Sequence, residues 1–345
     1  MTRAWATAAL LLVACAGKPL PPDLERAQSL ETASPDRARL IYAAFEERCR
    51  TQPQFSPIAN DDCALAAVRT AELDEDQQQW KAAYAAWTRA ADTSHVGSTR
   101  ARALARAASL AHARLGDDPS ARELAWRCVE HEPEERTTDD ALALAIRLDE
   151  PRDWVALAAK LAGLQARLAR FAVADNIAYD RAMLFTRHEH DADAIAAFDA
   201  LVAGWPRSSL RDDSLWRAAS LARAAGDFQG AVRRLRQMVE IRRGALITGS
   251  YNYLQLDDAQ LLIGKIYMDD LHDPLRAADA FSRLADDFKE STLRDDALLE
   301  LVRVRRAQSD NPGACKTIER LIRDFPDSKH MREAETQKAE LDCGE

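Results

Sequence analysis

The chain has 345 residues, a formal net charge of −9 and 47% apolar content, with only 12 glycines and 13 prolines. So few loop formers point to a mostly helical chain with short connections, and the 39 arginines against 8 lysines read as codon usage rather than a basic surface. The acidic balance excludes nucleic acid as the main partner, because neutralising phosphate needs a basic field.

Residues 1–14 read as a signal peptide. Arg3 supplies the positive start, and residues 4–12 form an apolar stretch too short to span a bilayer. Leu12-Val13-Ala14-Cys15 then resembles the lipobox of bacterial lipoproteins. The resemblance implies cleavage before Cys15, diacylation of its thiol and acylation of the new amine. Each buried CH₂ contributes about 0.8 kcal/mol, so such chains would anchor the protein firmly. Ala16 is not the aspartate of inner-membrane retention, so the implied address is the outer membrane, periplasmic face. The alternative is an ordinary secretory cut after Ala16, since Ala14-Cys15-Ala16 also fits A-x-A.

Residues 15–34 read as a lipidated tether with a short helix from Asp23, and 16–34 could reach roughly 60 Å if extended. Ser34-Pro35 reads as an N-cap followed by proline in the first turn, opening a helix to about Cys49. N-terminal repeats are then expected over 35–168 and C-terminal repeats over 172–342. Cys49 and Cys63 flank a loop-like stretch, and Cys315 and Cys343 lie at the last hairpin and the C-terminus. Two local disulfides, Cys49–Cys63 and Cys315–Cys343, would staple the two ends in an oxidising compartment. Cys128 sits on a knob position and reads as a buried thiol.

The organising signal is a recurring alanine. Ala83, Ala121, Ala158, Ala194, Ala231, Ala277 and Ala314 are separated by 38, 37, 36, 37, 46 and 37 residues. Large apolar residues follow four and seven on in Ala194/Phe198/Leu201, Ala231/Leu235/Met238, Ala277/Phe281/Leu284 and Ala314/Ile318/Leu321. That spacing shares one helical face, with alanine at the closest helix approach. A period of this length means helical hairpins that bury their apolar faces by stacking. The hairpins fall at 61–92, 98–132, 137–168, 172–204, 210–241, 255–287 and 292–325, with a terminal helix over 328–342. Thr137/Asp140, Ser209/Asp212 and Thr292/Asp295 have capping-box spacing, and the adjacent Asp-Asp pairs read as helix-dipole caps rather than calcium ligands. Gly204-Trp205-Pro206-Arg207-Ser208, Asp287-Phe288-Lys289-Glu290-Ser291 and Asp324-Phe325-Pro326-Asp327-Ser328 close their hairpins with an aromatic and a serine.

Leu262-Ile263-Gly264-Lys265-Ile266-Tyr267, the alanine-x-x-x-aromatic stripes and the closing prolines resemble the tetratricopeptide repeat family. The longer step and Phe-Pro-x-Ser loops are similar to envelope repeat proteins of the BamD and YbgF type. The resemblance covers 172–342 well, 61–132 fairly and 137–168 poorly. It implies an all-α, right-handed helical-hairpin solenoid of about seven repeats with a terminal capping helix.

No G-x-S-x-G, G-x-x-x-x-G-K-[ST], H-E-x-x-H or G-x-G-x-x-G occurs, so no enzyme, cofactor or metal is expected. His188-Glu189-His190-Asp191 reads as a solvated turn. The 46-residue step holds a surplus of nine residues around 244–254, apolar and aromatic, just after an arginine-rich helix. Apolar insertions on repeats can be recognition elements, which makes Arg242, Arg243, Tyr251 and Tyr253 candidate partner-binding residues. The alternative is that Leu246, Ile247 and Leu254 seal a splayed hairpin. Trp80, Trp126, Trp154 and Trp216 are free of the repeat pattern, and two or more of them exposed together would suggest a sugar platform. The expected function is an outer-membrane-anchored periplasmic adaptor for protein partners of an envelope machine, with outer-membrane protein assembly favoured by the resemblance. The alternative is a glycan- or peptidoglycan-binding lipoprotein serving a cell-wall enzyme.

Overall fold

The computed structural model describes residues 20–51, 57–240 and 253–343, the side chains of 57–60 and 253–255 excepted. Among the described residues there are seventeen α-helices and no strand. The chain divides into two compact units, 1–174 and 175–345.

The first unit contains α1 (Pro22–Leu30), α2 (Pro35–Thr51), α3 (Pro57–Asp76), α4 (Trp80–Thr93), α5 (Gly97–Leu110), α6 (Asp118–His131), α7 (Thr138–Asp149) and α8 (Trp154–Arg167). Each packs against its neighbour in the chain, and α5 also meets α7. Within the stretch read as a tether, α1 buries Leu24 and Ala27 against Ala38, Tyr42 and Phe45 of α2. Cys49 is bonded to Cys63, joining α2 to α3.

The second unit holds α9 (Ala174–Arg187), α10 (Asp191–Gly204), α11 (Arg211–Ala224), α12 (Phe228–Glu240), α13 (Tyr253–Lys265), α14 (Pro274–Asp287), α15 (Arg294–Ala307), α16 (Asn311–Asp324) and α17 (Met331–Glu340). Its core runs through Leu215, Leu235, Met238, Ile263, Tyr267, Phe281, Leu284, Leu298, Val302, Ile318 and Leu321. Cys315 on α16 is bonded to Cys343 beyond α17.

All seven recurring alanines are buried, six of them completely. The large side chains that follow them are buried too, each contributing roughly 1.5–3 kcal/mol by leaving water. In the third hairpin the stripe is rotated by one residue. Leu157, Leu161 and Leu164 line the buried face of α8, because leucines there offer more apolar area than Ala158, Ala162 and Gln165. Both α5 and α13 end in a π-helical turn, at Ala111–Leu115 and Ile266–Asp270.

The capping expectation needs correction. Thr137 makes no side-chain cap at α7, and α11 and α15 begin after Leu210 and Leu293, which have none to offer. The aspartate caps sit instead at the second helix of five hairpins. Asp117, Asp153, Asp227, Asp273 and Asp310 each accept from the backbone N–H three residues on. In four of these hairpins, and in those of α3–α4 and α9–α10, the tight turn places one residue in the left-handed region just before the second helix. That residue is Gly116 or Gly226 in two turns, but Gln78, Glu189, His272 and Ser309 in the others. The turn at Asp149–Asp153 has no such residue.

Candidate functional site

Asp-Asp pairs stand near the starts of several first helices of the second unit, and two of them tie neighbouring hairpins together. In α13 and α15 the first aspartate of the pair accepts its successor's N–H, Asp258 to Asp257 and Asp296 to Asp295. Its other oxygen takes a hydroxyl from the next hairpin. Ser291 Oγ donates to Asp257 at 2.5 Å, and Ser328 Oγ donates to Asp295 at 2.6 Å. These serines also accept from the N–H two residues on, Leu293 and His330, so each closing loop is fixed at both ends. In α15 the pair therefore joins neighbouring hairpins as well as placing carboxylates in the first turn, where they meet the helix dipole.

The second aspartates meet different neighbours. Asp213 accepts from Arg217 Nε at 2.7 Å and from the Tyr179 hydroxyl. Burial and that bond push the Tyr179 phenol up to about 12. Asp296 is held by Lys329 Nζ at 2.9 Å and His330 Nε2 at 2.8 Å. Burial alone would raise its carboxyl, but these hydrogen bonds and charges hold it below the usual range. Asp258 is pushed the other way, by burial and by the charge of Asp257. Asp212 is likewise raised by burial, against the pull of Arg211.

At the C-terminal end a cleft of about 720 Å³ opens between α15 and α17, lined by Arg306, Lys329, Arg332, Glu333, Thr336 and Gln337 among others. Arg303 reaches Glu333 at 3.0 Å and Arg306 reaches Glu340 at 3.2 Å. Gln337 is 93% buried and donates to Glu333, while its Oε1 has no donor. The arrangement is polar and can read an extended chain by hydrogen bonds and charge. Among the described residues no cluster of His, Cys, Asp and Glu could hold a metal ion.

On the other faces, arginine spans neighbouring hairpins. Arg127 pairs with Asp92 at 2.8 Å, Arg234 with Asp199 at 2.6 Å and Arg320 with Asp286 at 2.7 Å. Part of the arginine excess thus serves stacking, where a planar fork suits a carboxylate better than lysine does.

Of the residues singled out in the sequence, Cys15, Arg242, Arg243 and Tyr251 lie outside the described residues, as does most of the 244–254 insertion. Tyr253 opens α13, its side chain not described. His188-Glu189-His190-Asp191 forms the turn from α9 to α10, with Glu189 at φ 59°. Cys128 is a buried free thiol pushed up to about 11 by burial. The staples between hairpins were missed, although aspartate and serine recur together 33 or 34 residues apart.

Residues 296–328, from α15 to the closing serine, match the tetratricopeptide repeat family. Each unit is a stack of helical hairpins of that kind. Similar solved structures include the C-terminal part of a TPR repeat-containing protein from Cytophaga hutchinsonii, 11% identical, with a TM-score of 0.45, covering 80% of this chain and 99% of that one. PilW, a type IV pilus biogenesis factor, is 15% identical with a TM-score of 0.33, over 78% of this chain and 97% of its own. Pseudomonas aeruginosa PilF is 14% identical with a TM-score of 0.35, over 70% and 100%. No curated protein matches the chain.

Proposed function

We propose that this chain is a protein-binding scaffold, anchored through lipid on Cys15 to the periplasmic face of the outer membrane. It gathers partners of an envelope machine, with outer-membrane protein assembly the favoured process. The observation that carries the reading is the polar cleft between α15 and α17, beside the residues that match a tetratricopeptide repeat. A partner helix or extended segment lying in such a cleft is a common mode of recognition. Disulfides in both units suit an oxidising compartment, and the lipobox supplies the address. We assign it no catalytic step and no cofactor.

The glycan alternative is disfavoured by the tryptophans. Trp126 is buried with its Nε1 on Asp149 at 2.8 Å, Arg114 covers Trp80 at 4.6 Å, and Trp216 packs on the core. Trp154 is half-buried. The test is crosslinking of the full chain in cells, followed by affinity purification, alongside Arg332→Glu and Cys15→Ser variants. Expected are a defined set of envelope proteins, depleted by Arg332→Glu, and an unprocessed or soluble form in Cys15→Ser. Retention on peptidoglycan with no protein partner would overturn the reading.

A further inference from the structure

A cleft of about 480 Å³ opens in the first unit between α2, α3 and α4. Ala67 and the Cys49–Cys63 bridge lie at its base, with Ala43 on one wall and Arg89 and Thr93 on the other. The charges at its rim are already matched by the protein. Glu46 accepts from Arg89 at 2.8 Å and from Thr70 at 3.0 Å. Glu47 pairs with Arg50 at 2.5 Å, and Asp92 with Arg127 at 2.8 Å. A cleft with carbon at its base and a self-neutralised rim favours an uncharged apolar ligand, and its size falls in the range of small-ligand sites.

The chain is tied down at Leu20 and Asp23. Leu20 packs into the same apolar cluster as Cys49 and Cys63, and Asp23 pairs with Arg48 at the end of α2. From Cys15 to Leu20 the backbone can span at most about 18 Å. Any group carried on Cys15 is therefore held near the cleft at an effective concentration on the order of millimolar.

We propose that this cleft shelters an alkyl chain carried on Cys15, an inference that rests on the lipid-anchor reading above. The sheltered chain exchanges between the cleft and the bilayer, so the protein carries its own apolar ligand when it leaves a membrane or a carrier. A ligand that binds only the folded state raises the melting temperature, and that gives the readout.

The full chain purified from membranes is compared with the secreted Cys15→Ser variant, and mass spectrometry of the N-terminal peptide reports acylation. Ala43 is exposed, so Ala43→Trp fills the cleft without entering the core, and Thr93→Trp does so from the opposite wall. The acylated chain is expected to melt several degrees above Cys15→Ser, and both tryptophan variants are expected to abolish that difference. An acylated chain that melts with Cys15→Ser overturns the inference and leaves the anchor intact. An N-terminal peptide without acyl groups overturns both. Palmitate added to Cys15→Ser provides the last arm. Stabilisation by palmitate that Ala43→Trp removes, with no acylation at Cys15, assigns the alkyl site to a foreign lipid and overturns the tethered occupant.

Discussion

Gly264 on α13 lies directly under the ring of Phe281 on α14. A Cβ at position 264 would stand 2.4 Å from Phe281 Cε1, well inside contact distance, and Phe281 is fully buried. The glycine is what allows these two helices to touch. Gly264→Ala is expected to cost about 1–3 kcal/mol by overpacking, read as a lower melting temperature of the full chain. Phe281→Leu in the same chain should recover part of the loss, and an additive double mutant would contradict the contact.

The disulfides close segments of 14 and 28 residues. Each is expected to contribute about 2–4 kcal/mol, chiefly by restricting the unfolded chain. Cys49→Ser/Cys63→Ser and Cys315→Ser/Cys343→Ser should each melt earlier than the oxidised chain, and neither should respond to a reductant at its own pair. Peptide mapping that found free thiols at these positions in secreted protein would remove the staple.

His272 and Ser309 occupy the left-handed region at φ 50° and 60°. The same turn position is glycine at Gly116 and Gly226, where that conformation carries no Cβ penalty. His272→Gly and Ser309→Gly are each expected to stabilise the chain by up to about 1 kcal/mol. Denaturant midpoints that fell instead would show the side chains contributing more than the strain.

Asp296 has a folded-state carboxyl held below its ordinary value by His330 and Lys329. Its stabilisation is therefore fully present above the unfolded carboxylate range, near pH 4, and is lost as pH falls through the lower folded value. Asp296→Asn should lower stability at neutral pH and flatten the acid limb of the pH–stability curve. A parallel curve, merely displaced, would mean that the Asp296 carboxyl does not titrate with folding.

Removing residues 244–252 keeps α13 from Tyr253 and turns the 46-residue step into 37. A recognition insertion predicts an unchanged melt with loss of crosslinked partners. A seal made by Leu246 and Ile247 predicts a melt lowered by about 2–5 kcal/mol per lost core side chain, with partners retained.

The hairpin array was legible because alanine, four and seven residues before a large apolar side chain, marks a buried face without reference to any other helix. Ala231, Leu235 and Met238 illustrate it, all fully buried. The rotated stripe of α8 was harder to read, since Leu157 and Ala158 are adjacent and only the neighbouring helices decide between them. The Asp-Asp pairs were assigned by single-helix logic, in which a carboxylate near an N-terminus meets the dipole. Their hydroxyl partners lie 33 or 34 residues away, beyond any local pattern. The cleft at Gln337 had no sequence signal at all, because its polarity depends on Arg303 and Glu333 meeting across two helices. The insertion, by contrast, stood out only as a break in the period.

Cysteine order has a consequence for oxidation. In a chain delivered N-terminus first, Cys49 and Cys63 emerge as a pair before Cys128 appears, and Cys315 and Cys343 emerge after it. With Cys15 taken up by lipid as proposed, pairing each remaining cysteine with the next to arrive would succeed for the first bridge and fail at Cys128, which has no partner until Cys315. Folding of the first unit resolves that conflict, since burial removes Cys128 from solvent and leaves little thiolate to attack a later disulfide. Correct oxidation is then a matter of timing. If the first unit closes before residue 315 is released, the second bridge forms without an isomerase.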